Sequence, residues 1–420
     1  MRVLFLTQWF DPEPGAIRGL PFAKSLMRSG DEVRVLTGFP NYPGGKVYPG
    51  YKLRPWQRET IDGVPVLRVA LYPSHDGSAL GRFLNYGSFA LSAATIGVGL
   101  SGRADIAYVY HPPPTVGLPA MALKALRGMP CVYHVADMWP ESVIESGMIK
   151  GKFPRRMADR LLSSWCNLVY SQASEITVLS PGFKRLLIDR GVPASKIHIV
   201  YNWTDEEVFR PTARESKLCA DLGLAETFNF VYAGNIGAFQ GVDTIIRAAA
   251  RLRDIPNLRV VIVGTGNKEQ EAKALAREID ARNVVFVGRR EYREMPAVYG
   301  LADALIVHLN DHKFFSATIP SKTQVSLACG RPVLMAVRGD SAGIVERANA
   351  GVISEPENPE AMAASMRHLW EMPRERLQEL GMNGRNYYLQ EMSLAQGTHR
   401  MREIFAAVAE RQLNLENAHV

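Results

Sequence analysis

Short apolar runs recur along this chain, and each is followed by a Gly- or Pro-rich loop and then a helical stretch. Arg2 to Gln8 is the first run; the loop WFDPEPGAIRG, an amphipathic stretch from Leu20 to Arg28, a Gly stop at Gly30 and a second run from Glu32 to Thr37 follow. Strand, loop, helix, strand is the unit of a parallel sheet, because parallel neighbours need a crossover packed on one face. The order returns at Ala104–Tyr110, Pro130–Val135, Glu175–Leu179 and Ile197–Tyr201. Residues 206–226 are mixed and polar and read as a linker. The pattern then starts afresh at Phe228–Ala233 and runs through Leu258–Val263, Val284–Val287, Ala304–Val307 and a buried strand from Pro332. A pattern that restarts within 420 residues predicts two α/β domains, 1–205 and 206–385.

In parallel sheets ligands sit beyond the carboxyl ends of the strands, so the loops there carry the candidate chemistry. Gly15 and Arg18 fall in the first such loop. Gly15 lets backbone approach a ligand, and Arg18 suits a two-pronged grip on phosphate or carboxylate. The next such strand ends at His111 and three prolines. Asp137 and Glu141 follow the strand Pro130–Val135 and suit either chemistry and sugar hydroxyls or the cap of the next helix. Phe39 to Arg68 is rich in Pro, Gly and Tyr and reads as structured loops with a short strand pair.

The second half offers a glycine-rich loop, Gly234–Gly241, whose backbone N–H groups suit a phosphate. Gly264-Thr265-Gly266 lacks the third glycine of a dinucleotide fingerprint, which argues against a nicotinamide enzyme. The stretch Phe314–Ala336 reads as a loop, a helix opening at Pro320, a stop at Gly330 and a buried strand. Ser321 and Lys322 sit in that first turn, where unpaired N–H groups and an ammonium make a phosphate site. A helix near Gly339–Val345 carries Ser341.

Composition is that of a globular chain, 47% hydrophobic and 22% charged. The net charge of +7 is uneven: residues 1–200 carry 23 Lys and Arg against 14 Asp and Glu, the remainder 26 against 28. A basic first half fits an anionic partner: nucleic acid, an anionic membrane surface or a phosphorylated lipid. Lys152, Arg155, Arg156 and Arg160 cluster with Phe153 and Met157 and suit a membrane surface or a solvated helix. Phe83 to Gly102 carries no charged residue. It reads first as a buried helix, with an interfacial helix and a bilayer span as the alternatives. Four cysteines (Cys131, Cys166, Cys219, Cys329) form no Cys-x-x-Cys pair, so neither a zinc site nor a disulfide framework is signalled. MRVLFLTQWF meets acidic residues at once and is no signal peptide; the cytoplasm is the expected home.

The motifs in order are TQWFDPEPGAIRG, YHVADMWPES, TVLSPGFKRLL, IVYNWTDEEVF, YAGNIGAFQGVDTII, VGRREYREMPAVYGLAD, IPSKTQVSLACGRPVL and AGIVERANAGV. Together they resemble glycosyltransferase family 4, within it the bacterial fucosaminyl- and colanic-acid-transferase branch, over nearly the whole chain. The resemblance implies a GT-B fold: two Rossmann-like domains with parallel sheets facing across a cleft, and a terminal helix, 386–420, that packs back on the first. It implies a retaining, metal-independent transfer from a nucleotide sugar, UDP-linked in many relatives, with no other cofactor. The acceptor implied is a lipid-diphosphate-linked saccharide of surface polysaccharide synthesis. The enzyme then works on the cytoplasmic face of an anionic membrane, and nucleic acid is not its partner.

Carried over residue by residue, Lys322, Asp137 and Arg18 are the catalytic candidates. Gly15, Asn235, Gly237, Gln240, Arg289, Ser321, Lys322, Ser341 and Glu346 fall to the donor, His111 and Glu141 to the acceptor, and no residue to a metal. Some positions depart from the family. Asn235 and Gln240 are neutral where many relatives carry Arg and Lys, Val325 and Ala317 replace an acidic pair, and Ala136 stands for a common histidine. A UDP-sugar epimerase and a non-catalytic sugar-nucleotide-binding subunit are the competing readings. The first is opposed by the Pro-Ser-Lys and Asp-Met-Trp-Pro pieces; the second is motivated by the missing acids.

Overall fold

Strands buried on both faces must be apolar almost throughout, and the run Arg2–Thr7 (β1) shows it: every residue after Arg2 is buried. The computed structural model describes residues 1–14, 18–75, 79–142 and 152–418. Gly15 and the side chains of Lys152, Phe153 and Arg155 lie outside the described residues. The chain divides into two units: Met1–Tyr201 with Gly397–Val420, and Asn202–Gln396.

In the first unit β1 is joined by Glu32–Gly38 (β2), Trp56–Ile61 (β3), Val64–Val69 (β4), Ile106–His111 (β5), Cys131–Val135 (β6), Glu175–Val178 (β7) and Ile197–Ile199 (β8). The order is β3-β4-β2-β1-β5-β6-β7-β8. Pairing is parallel except for the β3–β4 hairpin, turned by Asp62 (φ 47°) and Gly63 (φ 86°). The second unit holds Phe228–Ala233 (β9), Leu258–Val263 (β10), Val284–Gly288 (β11), Ala304–His308 (β12), Val333–Ala336 (β13) and Gly351–Ile353 (β14), all parallel, in the order β11-β10-β9-β12-β13-β14. Each sheet reverses its winding once, between β1 and β5 and between β9 and β12. Those two points are where such sheets bind ligands.

Three expectations change. The uncharged stretch is not simply a buried helix. It forms a helix over Ala79–Ser92, continued by a π-helical turn, Ala93–Gly97, and by Val98–Leu100. One face is held by the sheet: Gln8 donates to buried Asn85 at 2.6 Å, and Gly97 lies so close to Leu36 that a Cβ would stand 2.8 Å from it. The other face exposes Leu80, Phe83, Leu84 and Leu91 at helical spacing. Leu80–Leu100 is long and apolar enough to cross a membrane, by length and composition. The linker contains a short helix, Ser216–Asp221. The terminal helix is interrupted: Arg374–Tyr387 runs into a π-helical turn, Tyr388–Met392, and Leu394–Ala418 follows the extended Ser393. Buried Tyr388 fixes that break, donating to Glu206 at 2.9 Å and accepting the Thr204 N–H at 3.0 Å. All four cysteines are buried and free.

The last helix is tied to the first sheet by charge as well as apolar contact. Buried Asp31 accepts from the chain's own amino terminus at 3.0 Å and from Arg402 at 2.7 Å, while Thr398 donates to Ser25 at 2.8 Å. Asp31→Ala should therefore loosen residues 397–412 first, at a cost of about 1–3 kcal/mol. Amide exchange at Met401 and Phe405 should quicken more than at Phe5, and equal quickening would refute a local anchor.

Candidate active site

In the second unit four glycines let backbone and side chains approach where a Cβ would forbid it. A Cβ on Gly264 (φ 138°) would fall 1.9 Å from the Gly234 carbonyl, and one on Gly266 2.2 Å from the Ile236 carbonyl. The Gly-x-Gly pair thus serves loop-on-loop packing, closed by Ile236 N–H to Thr265 O at 2.9 Å. Gly234 (φ 154°) makes room for Lys322, whose Cε would stand 2.4 Å from a Cβ there. Gly241 (φ 58°) makes room for His308, whose Cε1 would stand 2.1 Å away.

Lys322 is the second residue of the helix Ser321–Ala328, with Pro320 in extended backbone before it. Its ammonium lies 4.9 Å from the Tyr232 ring centroid, and the Tyr232 hydroxyl donates to the Asn235 carbonyl at 2.7 Å. Burial pushes the Lys322 ammonium down to about 8. Lys322 therefore stands beside the loop Gly234–Gly241, which opens the helix Val242–Ala250. Across the loop Asn235 and Gln240 face one another, Nδ2 to Oε1 at 3.5 Å, flanking Gly237.

Four other donor candidates lie in the same unit, Ser321 directly before Lys322. Ser321 and Arg289 are exposed. Ser341 is buried and donates to the Thr318 carbonyl at 3.1 Å, a clasp beside Gly339 (φ 79°), where a Cβ would meet the Ser316 carbonyl at 2.0 Å. Glu346 is exposed in the last turn of Asp340–Ala348, about 9 Å along the helix from its start. Val325 and Ala317 are buried apolar contacts.

At the carboxyl ends of the first sheet, the charged candidates are largely committed to the fold. Arg18 is buried, and its Nη2 donates to the carbonyls of Val200 and Tyr201, just past β8, at 2.8 and 2.9 Å. Glu141 pairs with Arg190, which also donates to the Trp139 carbonyl at 2.7 Å. Asp137 remains half-buried. Desolvation pushes its carboxyl up, while the Ser142 and Trp139 side chains and the Met138 N–H hold it down. His111 is fully buried between Tyr133 and Trp139, and burial pulls its imidazole down to about 3. Neither of its ring nitrogens has a hydrogen-bond partner among the described residues.

Residues 20–203 match the Glycosyl transferase 4-like domain, and residues 220–387 match Glycosyl transferases group 1. The chain is a GT-B glycosyltransferase. It is 28% identical over 356 residues to the putative colanic acid biosynthesis glycosyl transferase WcaI of Escherichia coli (strain K12), covering 83% of this chain and 86% of that one. The probable glycosyltransferase WbjE of Pseudomonas aeruginosa is 23% identical, over 60% of this chain and 62% of its own. Anabaena Alr3699/HepE, solved in complex with UDP and glucose, is similar in fold with a TM-score of 0.68 at 18% identity, over 97% of this chain and 100% of that one.

Sequence reasoning passes over two buried groups of this glycosyltransferase. Glu13 is buried, accepts the N–H groups of Asn41 and Tyr42 at 2.8 Å each and that of Phe10 at 3.2 Å, and is pushed up by desolvation to about 7. Glu13 orders the Pro/Gly/Tyr loop that follows β2; an acid inside the Pro-rich loop was its only trace in the sequence. His308 ends β12, and nothing in its apolar neighbours singled it out. Its Nδ1 donates to the Gln240 carbonyl at 3.1 Å and its Nε2 accepts the Glu357 N–H at 3.2 Å, so the neutral form fits both partners. Burial holds it at about 4.

A folded value below the usual 6.5 means that the unfolded chain takes the proton first. His308 therefore contributes stability above pH 6.5, and that stability is lost as pH falls from about 6.5 towards 4. Urea midpoints measured from pH 7 to 4.5 should fall more steeply for the wild type than for His308→Asn. Parallel curves would show that His308 does not carry the effect.

Proposed function

We propose that this glycosyltransferase moves a sugar from a UDP-linked donor to a lipid-diphosphate-linked saccharide, in the synthesis of a bacterial surface polysaccharide. The observation that carries the reading is Lys322, seated in the space left by the missing Cβ of Gly234 and beside a glycine-rich loop. As the bond from the anomeric carbon to the diphosphate breaks, its electron pair stays on the phosphate oxygen. Lys322, the loop N–H groups and the first turn of Val242–Ala250 receive that charge, and fixed groups aimed at developing charge commonly give an enzyme most of its rate advantage. With Asn235 and Gln240 neutral, Lys322 carries most of the positive charge. The acceptor hydroxyl bonds the anomeric carbon on the face the diphosphate left, retaining configuration, and passes its proton to the departing phosphate oxygen. Asp137, half-buried at the end of β6 with a raised carboxyl, is the group proposed to face that acceptor, and His111 lies one strand away.

The chemistry is proposed to need no metal, with Lys322 and backbone N–H groups as the phosphate's partners. UDP is suggested by the neighbour solved with UDP and glucose, and a polysaccharide product by the colanic acid relative. The fucosaminyl- and colanic-acid-transferase branch is the narrower assignment proposed.

Membrane attachment belongs to the same reading. The helices Ala79–Ser92, Gly117–Arg127 and Lys152–Gln172 lie in crossovers that all run the same way across the first sheet (β4 to β5, β5 to β6, β6 to β7), so right-handed connections place them on one face of it. They expose Leu80, Phe83, Leu84, Leu91, Leu126, Met157 and Leu161, with Arg156 and Arg160 exposed on the last. Apolar side chains beside basic ones suit the interface of an anionic leaflet on the cytoplasmic side.

A thermal-shift screen of nucleoside diphosphates should show UDP raising the melting temperature. Lys322→Ala should lower turnover at least about tenfold with the fold intact. Because the Lys322 ammonium titrates near 8, UDP affinity should weaken as pH rises through about 8 in the wild type and stay flat in Lys322→Ala. An unchanged rate in that variant removes Lys322 from the chemistry. Pelleting with anionic vesicles should weaken with salt and with Phe83→Asp; indifference to lipid charge would count against membrane attachment.

A further inference from the structure

The winding of the second sheet reverses between β9 and β12, and one residue from the far side of that point reaches across it. The last residue of β12, His308, donates from Nδ1 to the Gln240 carbonyl in the loop that leaves β9. Two positions on, Asn310 continues the contact. Its N–H donates to the Phe239 carbonyl at 2.9 Å and its side chain to the Ala238 carbonyl at 3.2 Å. Three successive carbonyls, 238 to 240, are thus drawn toward the end of β12. In a trans peptide the C=O and the following N–H point in opposite directions. The N–H groups of Phe239, Gln240 and Gly241 are therefore turned away from β12. The Gln240 N–H closes a turn on the Gly237 carbonyl at 3.3 Å.

His308 is fixed for this task from both sides. The Glu357 N–H binds Nε2, which leaves the ring proton on Nδ1, the atom facing Gln240. Glu357 has φ 56°, an uncommon backbone state for a residue with a side chain, and its N–H is delivered from that turn. The ring occupies the space that a Cβ on Gly241 would take, so the loop and the imidazole fit only because residue 241 is glycine.

We infer that His308 is the positioning residue of the donor site: through the Gln240 carbonyl it sets the loop whose N–H groups receive the donor's phosphates. The inference rests on the reading of Gly234–Gly241 and Lys322 as a phosphate site. His308 touches neither donor nor acceptor, and acts through backbone.

The test is calorimetric titration of the full chain with UDP, alongside ligand-observed NMR with uridine, which has no phosphate. The variants are His308→Asn, His308→Gln, His308→Leu and Lys322→Ala. Asn carries an N–H donor on Cγ, where the imidazole carries Nδ1, and should bind UDP within about threefold of wild type. Gln places its amide nearer Nε2 and Leu has no donor; both should weaken UDP about tenfold or more while uridine binding stays as in the wild type. That split separates a phosphate-side effect from general loosening of the fold, and circular dichroism checks that each variant is folded. If the wild type binds UDP and Lys322→Ala loses it, yet His308→Gln and His308→Leu bind UDP as the wild type does, the inference is overturned and the donor site stands. Equal losses of UDP and uridine in the His308 variants overturn it too. If Lys322→Ala binds UDP as the wild type does, the donor-site reading fails and His308 falls with it.

Discussion

The second unit depends on a side chain occupying the place of a missing one. Lys322 lies where the Cβ of Gly234 would be, over the face of Tyr232, so the end of β9, the loop after it and the start of Ser321–Ala328 form one contact. The cost of that position is visible in its own chemistry: depressing an ammonium from 10.5 to about 8 disfavours the charged form by about 3 kcal/mol. Below about pH 8 the ammonium is still protonated, and an anion placed against it replaces the solvation that burial removed. A lysine kept in water would give a phosphate little, because its charge is already solvated. Partial burial turns an ordinary cation into one whose best state needs a ligand.

Much of this was legible in the sequence, and the reasons differ by element. Buried parallel strands must be apolar and their crossovers amphipathic, so the alternation of the two announced two parallel sheets. Pro320-Ser321-Lys322 was legible because helix starts have their own chemistry. The two-glycine run at Gly264 was legible only as a failed fingerprint; its use, letting one loop rest on the carbonyls of another, is a three-dimensional fact. His308 was illegible for the same reason. It reads as one more residue in an apolar strand, and only the fold brings Gln240 and Glu357 to its two nitrogens.

Charge misled in the first unit. Arg18 and Glu141 carry the residue types that grip phosphates and hydroxyls, and both lie at strand ends where ligands bind. Yet one nitrogen of Arg18 serves two backbone carbonyls, and Glu141 pairs with Arg190. The carbonyls just past a three-residue strand need donors, and one buried guanidinium nitrogen supplies both bonds. Spacing along a chain cannot tell a group that waits for a ligand from one already claimed by backbone. The uncharged helix misled in the opposite sense. Its absence of charge suggested burial, but only one face meets the sheet, and the other exposes leucines and a phenylalanine.

The two units end the strand across their reversal point in the same residue type, and the contrast decides what each can do. His308, last in β12, has a partner on each nitrogen and is held neutral by burial. His111, last in β5, is just as buried and just as neutral, yet none of the described residues bonds either nitrogen. A satisfied imidazole fixes backbone and has nothing left to offer. An unsatisfied one at the carboxyl end of a parallel strand retains a donor and an acceptor, the pair a hydroxyl group needs. Buried polar atoms without partners are uncommon, because each carries its full desolvation penalty. The proposed acceptor, which carries hydroxyls, matches that unmet capacity in the first unit, as the proposed donor phosphate matches the partly desolvated ammonium in the second.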